Sequence, residues 1–164
     1  MSFERIPNEL KALKQFVVWK YEDIGAVKPT KVPYNPHTGQ KASVTNPSDW
    51  TNFSDVCRLC FNYSGIGFVF TSADNYAGID LDFTTNYEAL KHQQLIFEKF
   101  DSYSERSPSG KGLHIIVKGK VLSGRRRSSV EIYSEGRFFT FTGDVFHDAP
   151  IQERQAMLDV LWNE

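Results

Sequence analysis

The stretch Tyr76-Ala77-Gly78-Ile79-Asp80-Leu81-Asp82-Phe83 sets two carboxylates two residues apart in a run that otherwise reads as a buried strand. Side chains alternate along a strand, so Ile79 and Leu81 point into a core while Asp80 and Asp82 lie side by side on the opposite face. Two bare carboxylates so placed repel each other, and burying either alone is costly. Two readings supply the missing positive charge. A hard divalent cation such as Mg2+ or Mn2+ takes oxygen ligands in this geometry. Alternatively, the strand is a solvent-facing acidic edge with lysine or arginine nearby.

Working outward, GIGFVF (65–70) reads as a fully apolar strand, and SADN turns the chain into the acidic one. A helix is expected from Asn86 to Phe100, then, after a short strand, a polar loop, SYSERSPSGKG (102–112). LHIIVKGKV (113–121) is a strand, and Gly124-Arg125-Arg126-Arg127 a basic turn. SVEIYS (129–134) and RFFTFTG (137–143) are expected to form a tight hairpin around Glu135-Gly136. Pro150 opens a final amphipathic helix with Ile151, Leu158 and Leu161. On the N-terminal side, Asn8 after Pro7 starts a short helix carrying Leu10 and Leu13. FVVWKY (16–21) is β-rich, and KVPYNPHTGQKAS (31–43) has the turn chemistry of a hairpin. A helix from about Ser48 to Phe61 would carry Trp50, Phe53, Cys57 and Cys60 along one face. This order predicts an α+β fold with a mostly antiparallel sheet flanked by helices.

The 164 residues suffice for one domain with a core, and 13 Phe, 7 Tyr and 3 Trp favour packing over disorder. The net charge of −1 provides no global basic field, so any anion site must be local. The start, MSFERIPNELK, lacks the apolar segment of a signal peptide, and no apolar run approaches the roughly 20 residues of a membrane span. A soluble, reducing, cytoplasmic setting is expected, with no membrane partner. Cys57 and Cys60 form a C-x-x-C without the further Cys or His pair that a four-ligand zinc site requires. They read as small hydrophobes in the helical stripe, and no zinc is expected.

In SPSGKGLHI (107–115), Ser109, Gly110, Lys111 and Gly112 form a polar loop whose backbone N–H groups could cradle phosphate, although it is not a Walker A loop. His114 follows in a strand, on the face opposite Leu113 and Ile115. Its position beside the Gly-Lys-Gly loop favours an anion contact over a purely structural role. Glu131 repeats the oddity of Asp80 and Asp82: one acid on an apolar strand, opposite Val130 and Ile132. If the strands are neighbours, three carboxylates converge beside a histidine and a lysine-bearing glycine loop. That set suits two-metal phosphoryl transfer.

GIDLD, SPSGKGLHI and VEIYSEGRFFTFTG together resemble the three motifs of the archaeo-eukaryotic primase superfamily, and more narrowly the primase-polymerase domains of phage and plasmid replication proteins. The likeness covers roughly residues 15 to 143. FVVWKY, the VPYNPHTG turn and RFFTFTG also look like that branch. The resemblance implies one catalytic domain over 1–164, with an N-terminal α/β unit (about 1–75), an RRM-like β-α-β-β unit (about 76–145) and a C-terminal helix (about 150–163). The active site would lie in the cleft between the two units. Asp80, Asp82 and Glu131 would hold Mg2+ or Mn2+, with His114, Ser109 and Lys111 on the triphosphate of a dNTP or NTP. Catalytic work would fall to Asp80, Asp82, Glu131 and His114.

Arg137 reads either as a contact to nucleotide phosphates or template, or as a hairpin-edge charge. Phe138 or Phe139 could pack against the sugar, the other being a core aromatic. Arg125, Arg126 and Arg127 read as a DNA-backbone contact or a solvated turn, and Lys28 and Lys31 are weaker candidates of that kind. The implied partners are a single-stranded DNA template and primer. The chain has no ATPase motif, so a replicative helicase would act in trans or on a further C-terminal part. With one helix after Gly143, extension is expected more readily than de novo priming. A non-catalytic single-stranded nucleic-acid-binding module and a metal-dependent nuclease are the competing functions. Three acids on one face speak against the first, and the Gly-Lys-Gly-x-His element against the second.

Overall fold

The computed structural model describes residues 2–164. The order is α1 (Asn8–Lys11), β1 (Phe16–Glu22), β2 (Thr30–Tyr34), α2 (Phe53–Leu59), β3 (Gly65–Phe70), β4 (Tyr76–Leu81), α3 (Tyr87–Phe100), β5 (Ser104–Arg106), β6 (Leu113–Lys118), β7 (Arg125–Arg127), β8 (Val130–Tyr133), β9 (Arg137–Phe141), β10 (Val145–His147) and α4 (Gln155–Asn163). The strands form two sheets, ordered β2-β1-β3-β9 and β10-β5-β6-β4-β8-β7, with antiparallel neighbours throughout. The fold is α+β with mostly antiparallel sheets, as expected. Among the described residues no helix is long and apolar enough to cross a membrane.

In the second sheet, β4 and β5 each run antiparallel to β6, so β4–α3–β5 is a β-α-β unit split by the strand that follows it. One face of this sheet is aliphatic: Ile79, Leu81, Ile115, Val117 and Ile132 pack with Ile96 and Phe100 of α3 and Leu158 and Leu161 of α4. The other face meets the first sheet. There Tyr76, Ile116 and Tyr133 pack with Phe16, Val18, Ile66, Phe68, Phe139 and Phe141. The outer face of the first sheet buries Val17 and Val69 under Trp50.

Strand β9 joins the two sheets. It pairs with β3, yet Phe139 meets Gly78 of β4, the Thr140 carbonyl reaches His114 of β6, and the amides of Thr142 and Gly143 donate to Glu105 of β5. It therefore runs across the strands of the second sheet, and the chain then enters that sheet as β10.

Five local expectations change. The hairpin around Glu135-Gly136 does not form: β8 pairs with β4 and β7, and β9 with β3. The basic turn is the short edge strand β7. The helix expected from Ser48 is broken, because Thr51 exchanges two backbone bonds with Phe16 at 3.0 and 2.8 Å and must be extended. The helix starts after it, capped by Asn52, and Trp50 leaves the stripe of Phe53, Cys57 and Cys60 for the outer face. Residues 31–43 turn back at NPHTG as expected, but the returning arm adds only a single bridge, Tyr34 to Lys41, to the free edge of β2 and is not a full strand. The last helix begins at Gln155, with Ile151 already in the core ahead of it.

Candidate active site

Directly opposed residues on neighbouring strands share a face. The register therefore writes one row across the second sheet: Arg126 on β7, Glu131 on β8, Asp80 on β4, His114 on β6 and Glu105 on β5. Asp82 lies just beyond β4 on the same face. Its backbone N–H donates to the Ser129 carbonyl at 2.8 Å, and Gln93 of α3 donates to its carbonyl at 2.7 Å. These bonds hold the acid at the end of the strand. Asp80, Asp82 and Glu131 each present a carboxylate oxygen within 4.8 Å of the others. Three anionic oxygen donors around one point fit a hard divalent cation.

Asp80 sits between Glu131 and His114 and is mostly buried. Burial, then the charges of Asp82 and Glu131, push its carboxyl up to about 7; Lys31 and Arg126 pull the other way. Burial drives His114 down to about 4, so its ring is neutral near pH 7. Its Nδ1 lies 3.3 Å from the Thr140 carbonyl, which can only accept, so Nδ1 carries the proton. Nε2 then turns a lone pair toward Asp80 Oδ1 at 3.5 Å. Burial favours the neutral form of both groups, so below about pH 7 this contact joins an uncharged carboxyl to a neutral imidazole. Phe139 backs the imidazole, ring to ring at 4.8 Å, and reaches it over Gly78, where a Cβ would come within 2.3 Å of the Phe139 ring.

The loop before β6 is closed on itself. Ser107 N–H donates to the Gly112 carbonyl, Gly110 N–H to the Ser107 carbonyl, and Gly112 N–H to Ser107 Oγ. Ser109 Oγ accepts from Lys111 N–H at 3.3 Å and lies 3.1 Å from Ser107 Oγ. Gly112 lets the loop lie against β4, since a Cβ there would stand 2.8 Å from the Leu81 carbonyl. The expected amide cradle is thus largely spent on the loop's own bonds. What it turns outward is the Ser109 hydroxyl and Lys111, whose ammonium lies over the Phe83 ring at 5.4 Å.

Of the two phenylalanines, Phe139 and not Phe138 meets His114; Phe138 packs against Gly67 on the outer face of the first sheet. Arg137 is exposed and stacks on Tyr133 at 4.2 Å. The three arginines of β7 divide between faces. Arg126 joins the acid row, whereas Arg125 stacks on Trp162 of α4 at 4.6 Å and donates to its carbonyl.

Glu105 escaped the sequence reading. It is buried and takes hydrogen bonds from Tyr103, the Thr142 amide and hydroxyl, and the Gly143 amide, burial raising its pKa against those bonds. The available signal was the alternation of Tyr103 and Glu105 within a stretch that looked like polar loop. Lys31, in sequence only a weak candidate for DNA contact, stands on β2 where its charge bears on both Asp80 and His114.

No family model matches the chain. It is 36% identical over 152 residues to a DNA primase-polymerase of Nitratiruptor phage NrS-1, an alignment that takes in 84% of this chain and 20% of the phage protein. The chain thus spans about a fifth of the length of that relative. Over the shared span the two sequences are homologous.

Proposed function

From this kinship we propose that the chain is a metal-dependent nucleotidyltransferase that adds nucleotides to a primer 3′-hydroxyl on single-stranded DNA, in phage or plasmid replication. The observation that carries the reading is the row that sets Asp80 between Glu131 and His114, with the carboxylates of Asp80, Asp82 and Glu131 within 4.8 Å of one another. It supports the archaeo-eukaryotic primase resemblance, whose three motifs meet there.

Asp80, Asp82 and Glu131 would hold Mg2+ or Mn2+, which when bound activates the attacking hydroxyl and neutralises the triphosphate. Holding a cation would leave the Asp80 carboxyl ionised, its proton going to solvent, while His114 Nε2 stands 3.5 Å from Asp80 Oδ1. The negative charge of a bound triphosphate would offset burial and favour a proton on His114 Nε2, which would donate to a phosphate oxygen while Nδ1 stays on the Thr140 carbonyl. Ser109 and Lys111 add a hydroxyl and an ammonium from the loop, and Lys31 a second positive charge from β2. Positioning and charge neutralisation of this kind are most of what phosphoryl transfer asks of a protein. Strand separation would fall to a helicase.

The test is primer extension on a single-stranded template with dNTPs or NTPs and Mg2+ or Mn2+, beside Asp80→Ala/Asp82→Ala. We expect extension by the wild type and a loss of at least about a thousandfold in the folded variant. Shortened primers would mark a nuclease. A stable wild type that neither extends nor cuts would mark a binding module.

A further inference from the structure

We propose that Arg126 is a resident cation which the divalent metal must displace, and that the displaced guanidinium then binds the phosphates of the incoming nucleotide. The inference rests on the nucleotidyl-transfer reading and assigns that site an order of events, metal before nucleotide.

The register selects this arginine out of three. Arg126 stands opposite Glu131, whereas Arg125 and Arg127 stand opposite Ile132 and Val130, whose side chains belong to the helix-side core. Its planar fork is shared between two acids: Nη1 donates to Glu131 Oε1 at 2.8 Å and Nη2 lies 3.5 Å from Asp82 Oδ2. Both acids belong to the carboxylate cluster, so the guanidinium sits where a dication would draw oxygens from the same groups. Two such positive charges at one cluster repel, and either occupant weakens the other's hold.

Arg126 is also built to leave. Its side chain is 63% exposed, its strand is a three-residue sheet edge, and among the described residues its side chain makes hydrogen bonds to those two acids alone. Arg125, by contrast, is tied to α4 by stacking and by a hydrogen bond to the Trp162 carbonyl. A guanidinium released at the rim of a metal site faces the most anionic part of any nucleotide bound there. Its five N–H donors match phosphate oxygens better than a lysine would. While the arginine holds the acids, the fraction of molecules ready for metal falls, and apparent metal affinity falls with it.

The intact chain is titrated with Mn2+ without nucleotide, free ion being read by electron paramagnetic resonance, for wild type, Arg126→Ala and Arg127→Ala. The last removes the same charge from the opposite face. We expect Arg126→Ala to bind Mn2+ about fivefold more tightly and Arg127→Ala to change it less than about twofold. At saturating Mn2+, Arg126→Ala should bind a non-hydrolysable nucleoside triphosphate about tenfold more weakly. Unchanged or weaker Mn2+ binding by Arg126→Ala, equal tightening in both variants, or unchanged nucleotide binding would overturn the inference while leaving the metal site standing. Absence of Mn2+ binding in a folded wild type would overturn the site itself and this inference with it.

Discussion

Asp80 and His114 face each other with displacements of opposite sign for stability. Asp80 is raised from 3.8 to about 7, so between those values the folded protein keeps a proton that the unfolded chain releases. Its contribution is complete below the unfolded value and is lost as pH rises through about 7. His114 is lowered from 6.5 to about 4, so in that window the unfolded chain takes a proton that the fold refuses. Its contribution is lost as pH falls from about 6.5 toward 4. Between roughly pH 4 and 6.5 the two slopes cancel, and each single variant exposes the other. Relative to metal-free wild type, Asp80→Asn should gain stability with rising pH in that window, by up to about 1.4 kcal/mol per pH unit. His114→Gln should lose it with the opposite slope. Urea midpoints at half-unit steps of pH read this directly. Parallel curves for all three proteins would show that the two groups titrate as they do in the unfolded chain.

Element by element, the site depends on strands whose neighbours are not written in their own residues. Alternation alone put Asp80, Glu131 and His114 on the faces opposite Ile79, Ile132 and Ile115, and the register agrees. Alternation cannot say which strand lies beside which. Glu135-Gly136 looked like a hairpin turn, but β8 has two edges and β4 and β7 occupy both, so β9 pairs with β3. A short strand was expected here, but the burial of β5 was not legible, because Ser102, Ser104 and Glu105 are buried by hydrogen bonding and not by apolarity. That strand holds the bend from β9 into β10: Glu105 Oε1 takes the Thr142 and Gly143 amides at 2.7 and 3.2 Å, and Oε2 the Tyr103 hydroxyl at 2.5 Å. Glu105→Ala strands these donors in the interior and should cost about 2 to 4 kcal/mol in chemical denaturation. Glu105→Gln keeps one acceptor oxygen and should cost less. Because the Thr140 carbonyl that orients His114 lies just before this bend, Glu105→Ala should also lower activity per folded molecule. An alanine variant as stable as wild type would mean that the bend is held by its β-ladder alone.

At the scale of the whole molecule, the three acids sit where the core between the sheets gives way to solvent. Asp80 is mostly enclosed, Glu131 keeps 14% of its side chain exposed and Asp82 keeps 42%. Self-repulsion of this cluster costs the metal-free fold free energy, since the unfolded chain spreads the same charges through water. A cation that binds only the folded chain relieves that repulsion as part of its affinity, and its linkage stabilises the fold by about 2.7 kcal/mol at a hundredfold excess over its dissociation constant. For a chain of 164 residues this corresponds to a rise in Tm of about 5 to 10 °C. Mn2+ should therefore raise the melting temperature, and a chelator should restore it. The rise should shrink as pH falls from 8 toward 5, because protons then hold Asp80 against the metal. Asp82→Asn removes the most exposed of the three carboxylates with little cost to packing, and should nearly abolish the rise while leaving the metal-free Tm equal or higher. A rise of the same size in Asp82→Asn would place the stabilising ion elsewhere on the protein and break the link between this cluster and the metal.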